Sequence, residues 1–187
     1  MNSIDFLEFI ANRQSVRAYD IERQVEKEKI ERIIKAARLA PSACNAQPWH
    51  IIVVDDPELK NKVADATSAR ALGMNHFTKQ APVHLVLVEE KVNLSSGVGG
   101  WIKQKDYAQM DLGIVAAHII LAAKAEGLGS CILGWFNENA MRELLSIPQN
   151  KRVWLDIVIG YSAQPVRPKK RKPINEIASY NGYKKSK

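Results

Sequence analysis

A chain of 187 residues, 46% hydrophobic and 25% charged, fits one domain that buries about 70% of the surface its unfolded chain would expose, so a full core needs no covalent staples. Its two cysteines, Cys44 and Cys131, are far apart without ligand-like spacing, which argues against a disulfide framework or a zinc site and predicts two buried free thiols. The formal charge of +7 is carried wholly by residues 167–187, where eight lysines and arginines face Glu176 alone; such a run suits a solvated terminus, a polyanion-binding arm or a local phosphate clamp.

The first residues, MNSIDFLEFIANRQ, contain Asp5 and Glu8 and no basic flank, so they are not expected to be a secretory signal, and a cytoplasmic protein is the expectation. Ser3 is a plausible N-cap for a short amphipathic helix carrying Ile4, Phe6, Leu7 and Ile10. A second helix follows from Ile30, Ile33, Ile34 and Ala37, which share one face at the 3.6-residue period, and Pro41 cannot continue it. His50–Val54 reads as a buried strand ended by Asp55, Asp56 and Pro57, and Asp56-Pro57 opens a helix through about Ala71. Val83–Val88 is a second buried strand. Residues 95–106, with their glycines, read as a loop or lid.

From Tyr107 to Glu126 the chain is apolar nearly all round, as expected of a central helix enclosed by other elements; its longest near-apolar run, Leu112–Ala123, is short of the roughly 18 residues that span a bilayer. Gly127 and Gly129 stop this helix, Cys131–Leu133 form a short strand ending at Gly134, Asn137 caps a helix with Met141, Leu144 and Leu145, and Val153–Ile159 is the last strand. There is no internal repeat or Gly/Ser hinge, so residues 1–187 are expected to form a single domain. Mingled helices and strands with few short crossovers indicate an α+β or mixed three-layer fold.

Several segments could carry chemistry. The loop in APSACNAQPWHIIVV, residues 40–54, offers the Ser42 hydroxyl, the Asn45 and Gln47 amides and the Trp49 indole, groups able to border a planar heteroaromatic ring; alone, the same residues also suit a capped turn. Arg13-Gln14-Ser15-Val16-Arg17 places two guanidiniums and a hydroxyl within five residues, suited to a phosphate or to an exposed salt-bridging turn. Gly127-Leu128-Gly129-Ser130 follows a helix and lacks a third glycine, so it is no dinucleotide fingerprint. Trp49 and Trp154 are expected in the core, as are His50 and His118. His76 and His84 stand apart from any acidic or cysteine cluster, and no metal site is expected.

Taken in order, RQSVRAYD (13–20), APSACNAQPWHIIVV (40–54), AAHIILAAKAEGLGSCILGWF (116–136) and VIGYSAQPVRPKKRKPINEI (158–177) resemble the FMN-dependent nitroreductase-like flavoproteins. The resemblance implies a three-layer α+β fold with a central mixed, mainly antiparallel sheet flanked by helices and a C-terminal tail embracing the partner subunit. It also implies an obligate homodimer with FMN at the subunit interface and ping-pong hydride transfer from NADH or NADPH, through flavin N5, to a nitroaromatic, quinone or similar oxidised molecule. On this chain Arg13, Ser15 and Arg17 would hold the phosphate and polar flavin edge. Pro41, Ser42, Ala43, Asn45 and Gln47 of the partner subunit would border the ring, Leu133 and Gly134 would back it, and Lys169 and Arg171 would complete the phosphate clamp. Gln14 departs from the basic residue common at its position, so its contact to the cofactor is open.

No side chain is assigned as a catalytic acid or base, because hydride transfer depends mainly on positioning. Substrate and nicotinamide would share one flavin face, under a loop containing Trp101, Lys103 and Tyr107. Two other readings stand beside this one: a flavin-binding sensor, storage or flavin-destroying relative without reductase turnover, and a nucleic-acid-binding protein using the basic tail. Aromatic interleaving in that tail is limited to Tyr180 and Tyr183, so no nucleic-acid partner is expected, and no membrane partner either.

Overall fold

The apolar periodicities become two helical layers around one sheet in the computed structural model, which describes residues 2–68, 73–90 and 106–183. Its helices are α1 (Ser3–Asn12), α2 (Lys27–Arg38), α3 (Pro57–Thr67), α4 (Tyr107–Ala125), α5 (Glu138–Leu144) and α6 (Ile174–Ile177). Its strands are β1 (Trp49–Val54), β2 (Val83–Glu89), β3 (Gly129–Leu133) and β4 (Val153–Gly160). The strands form one sheet in the order β1-β2-β4-β3, antiparallel at every pairing. Sequence reading expects a mixed, mainly antiparallel sheet; among the described residues the parallel contribution is an isolated bridge between Ser15 and Ser130.

Apart from His84 and the terminal Glu89, β2 is apolar because both its faces are covered. Leu85 and Leu87, with Ile157 and Ile159 of β4, pack under α2 and α4 through Ile33, Ala37, Leu112, Val115 and Ile119. Val86 and Val88 face the other way, toward Val63 of α3 and Met141 of α5. A smaller cluster on that second side joins Val16, Tyr19, Cys131, Leu133 and Val158. β1 is an edge strand, so apart from Val54 its residues are half-buried or exposed, and His50 lies in solvent instead of the core. Trp49 and Trp154 pack against the main core as expected.

Helix ends differ from the sequence reading where a neighbouring residue caps better. Asn2, not Ser3, caps α1: its Oδ1 accepts the Ile4 and Asp5 N–H groups at 2.9 Å, and Asp5 returns the bond to the Asn2 N–H at 3.1 Å. Helix α3 starts at Pro57 but ends at Thr67; Ala71 lies outside the described residues. Gly127 adopts φ +76° after α4, letting its N–H reach Lys124 O at 3.1 Å and the Leu128 N–H reach Ala123 O at 2.8 Å, a Schellman ending. Helix α4 is long and apolar enough by composition to cross a membrane, yet it buries seven residues against the protein's own core. Its opposite side leaves Met110 and Ile114 exposed, so it is not enclosed all round within one chain.

Candidate functional site

The segment after α1 is held against β3. Ser15 bridges Ser130, and the Val16 N–H donates to Ser130 O at 3.0 Å. Gly129 makes this approach possible: a Cβ there would stand 2.7 Å from Val16 Cγ2. Tyr19 fastens the far end, its hydroxyl donating to Val16 O at 3.1 Å while its N–H donates to Gln80 Oε1 at 3.0 Å. Burial, with the Cys131 and Asp156 charges adding to it, pushes the Tyr19 phenol far above its usual range and keeps it a donor.

The tail folds back over this segment. Gln14 grips it with both ends of its amide, Nε2 donating to Pro165 O at 2.9 Å and Oε1 accepting the Arg167 N–H at 3.1 Å. Arg167 Nη2 donates to Ser15 O at 3.3 Å, and Gln164 Oε1 accepts the Arg17 N–H at 3.2 Å. Gln14 thus acts as a strap, a role a lysine or arginine could not fill, since neither has an acceptor for the Arg167 N–H.

The strap brings the basic tail to Arg13. Lys169 turns its ammonium out of solvent, with no hydrogen-bond partner among the described residues. Desolvation, then the charges of Arg13, Arg171 and Lys124, hold its pKa below the ordinary lysine value. None of these four cations has a carboxylate within ion-pair distance among the described residues. Unpaired like charges repel, and a phosphate with its charge of nearly −2 would offset that repulsion through charge-assisted bonds. The donor set therefore fits a phosphate ester. β3 leads directly from this cluster to buried Leu133 and exposed Gly134, where a Cβ would meet no atom within 4 Å.

The second group of expected residues lies elsewhere. After Pro41, residues Ala43–Asn45 form one 3-10 turn, and Cys44, Asn45 and Gln47 all take left-handed conformations at φ 51°, 52° and 47°. Non-glycine residues adopt this region at a cost and persist there only when braced. Here Ser42 Oγ accepts the Gln47 N–H at 2.9 Å, Gln47 Nε2 donates to Asn45 Oδ1 at 3.2 Å, and Asp111 of α4 accepts the Ala43 N–H at 3.1 Å. Asn45, Gln47 and Cys44 point to a solvent-exposed ledge; Cys44 is exposed, not buried as its residue type suggested. Asp111 and Lys124 are separated by 13 positions of α4, roughly 20 Å at about 1.5 Å per residue, so one chain holds this loop and the cationic cluster at opposite ends of a helix.

Sequence reasoning missed Asp111, Lys124 and Gln164. Asp111 carried a signal, as the one acidic residue inside α4. Sequence reading sets His84 apart from any acidic or cysteine cluster; β2 and β4 bury it against one acid, Asp156, Nδ1 to Oδ2 at 2.8 Å. His118 is half-buried, its Nδ1 3.3 Å from Ala36 O, and His76 is exposed. Among the described residues no cluster of three metal-ligating side chains occurs. The proposed lid residues Trp101 and Lys103 lie outside the described residues; Tyr107 begins α4.

Comparison with known proteins places this arrangement. The sequence matches the nitroreductase family over residues 10–73 and 68–161. It is 35% identical over 159 residues to a putative NADH dehydrogenase/NAD(P)H nitroreductase of Archaeoglobus fulgidus, covering 83% of this chain and 84% of that protein. An iodotyrosine deiodinase of Drosophila melanogaster is 27% identical over 176 residues, covering 82% of this chain and 61% of the fly protein. The fold superposes on an FMN-dependent nitroreductase from Clostridium difficile R20291 with a TM-score of 0.76 at 29% identity, covering 95% of this chain and 99% of the other. On the family match and the archaeal relative together, the chain belongs to the nitroreductase family.

Proposed function

We propose that the protein is a cytoplasmic FMN-dependent NAD(P)H oxidoreductase that works as a homodimer. The observation that carries this reading is the withdrawn Lys169 ammonium among Arg13, Arg171 and Lys124, a set of cations with no protein anion among the described residues. Bound there, FMN would supply two-electron hydride chemistry, accepting from NADH or NADPH and delivering to a nitroaromatic, quinone or similar oxidised molecule in ping-pong order. Arg13, Lys169 and Arg171 would hold its phosphate, with Ser15 and Arg17 near its polar edge. Gln14 would contribute by holding the tail in place. Leu133 and Gly134 would back the ring, where a residue without a side chain leaves room for close contact. No side chain of this chain is asked to donate or accept a proton.

Dimerisation is supported by what one chain leaves open. The braced loop of Pro41, Ser42, Ala43, Asn45 and Gln47 cannot reach the cationic cluster of its own chain across roughly 20 Å of α4. A second copy could bring its loop there. Helix α1 buries no residue and exposes Ile4, Phe6 and Leu7, while the tail exposes Ile174, Ile177, Tyr180 and Tyr183. Apolar surface on this scale is covered in stable assemblies. The nucleic-acid reading loses support because Lys169 is turned into the cluster instead of outward with an arm.

The visible spectrum of the pure protein, before and after FMN addition and then anaerobically with each nucleotide, tests this. Flavin bands that bleach with NADH or NADPH, followed by repeated turnover on a quinone, are expected. A folded dimer that takes up no FMN would overturn the reading. Bands that persist with both nucleotides would favour a flavin-binding relative without reductase turnover.

A further inference from the structure

The cavity of about 90 Å³ beside Arg13 and Gln14 is also lined by Gly129, Ser130 and Lys124, the last from the final turn of α4. Lys124 belongs neither to the RQSVR segment nor to the basic tail. Its side chain makes no ion pair or hydrogen bond among the described residues, although Asp5 and Glu8 line a neighbouring hollow with it. A lysine at a helix C-terminus favours the helix dipole, and that role requires no cavity. Three features exceed it: the shared cavity with Arg13, the absence of a carboxylate within ion-pair distance among the described residues, and a position close enough for its charge to act on the Lys169 ammonium.

We propose that Lys124 is a further phosphate-holding residue of the flavin site, adding a cation from the end of α4 to those of Arg13, Lys169 and Arg171. This rests on the flavin reading above and goes beyond it by making the selectivity for a phosphorylated flavin depend on the central helix. Because α4 also carries Asp111 at its other end, one rigid helix sets the separation between the phosphate cluster and the braced loop. The contribution is electrostatic, so it acts on the phosphate ester and not on the isoalloxazine ring, and it weakens as salt rises.

Binding of FMN and of riboflavin to apoprotein, followed by flavin fluorescence at low and high salt, separates the possibilities. Wild-type protein should prefer FMN. Lys124→Met should weaken FMN binding roughly tenfold, the loss of one charge-assisted contact, while leaving riboflavin binding unchanged and flattening the salt dependence. Lys124→Arg should retain FMN binding within about twofold, since the charge remains. A Lys124→Met protein with wild-type preference for FMN overturns this inference alone, as does an equal loss of both flavins, which would mark a structural role. Wild-type protein that binds FMN no better than riboflavin overturns the phosphate site itself, and this inference with it.

Discussion

The Asp111 carboxylate accepts the Ala43 backbone N–H with both oxygens at 3.1 Å, joining the core of α4 to a loop whose left-handed residues need bracing. Asp111 is 4% exposed, so little water can replace it as an acceptor. Asp111→Leu should destabilise the protein by about 1–3 kcal/mol through the unsatisfied Ala43 N–H and release the loop. Asp111→Asn keeps one acceptor oxygen and should lose less. Thermal unfolding measures the first effect, with about 2–4 °C per kcal/mol in a chain of this size. Equal melting of wild type and Asp111→Leu would show that the loop is held by other contacts.

Gly129 and Val16 pose a simpler steric test. A methyl at Gly129 meets Val16 Cγ2 at 2.7 Å and its Cβ at 3.0 Å, and Val16 is fixed between Ser130 and Tyr19. Gly129→Ala should therefore cost about 1–3 kcal/mol, as overpacking does. The Gly129→Ala, Val16→Ala double variant should recover part of it, measured as a coupling in a double-mutant cycle of unfolding free energies. Strict additivity would place the strain elsewhere.

His84 and Asp156 form a fully buried pair on neighbouring strands, with His84 Nε2 and Asp156 Oδ1 lacking partners among the described residues. Removing one member leaves the other without its partner in the core, so His84→Leu alone should destabilise by about 3–5 kcal/mol. Replacing both, as His84→Leu with Asp156→Val, should be much closer to wild type, because no polar group is left buried without its partner. Chemical denaturation of the two single variants and the double variant would decide it; a double variant as unstable as the sum of the singles would refute this account.

Glu138 gives an acid-side prediction. Its partial burial raises the carboxyl pKa, but Arg152, the Val153 N–H and Arg142 outweigh that and leave it below the ordinary value of 4.5. A group whose native pKa is depressed stabilises the fold fully above its unfolded pKa, and that stabilisation is lost as pH falls through the native value. Stability should thus hold on acidification to about the ordinary glutamate value and fall below it. Glu138→Gln should be less stable at neutral pH and lose stability less steeply in acid, as followed by melting temperature against pH. Glu26, bonded by Tyr161, and Glu126, bonded by Arg32, are shifted the same way, so some acid slope should remain. A Glu138→Gln profile parallel to wild type would contradict the assignment.

Periodicity and local chemistry along the chain were enough to determine α2, α4, β2, β4, the Asn137 and Asp56 caps and the α+β class, because each depends on residues within one or two turns of one another. The four motifs likewise carried the family. Tertiary structure alone decided that β1 is an edge, that His84 meets Asp156 72 positions away, and that Gln14 straps the tail across 151 positions. It also decided that Lys124 joins Arg13 while the 41–47 loop is held at the other end of α4. These are contacts between segments distant in sequence, fixed by how strands order and helices pack. No window of neighbouring residues encodes that ordering, since the same local patterns fit several arrangements until the core chooses one.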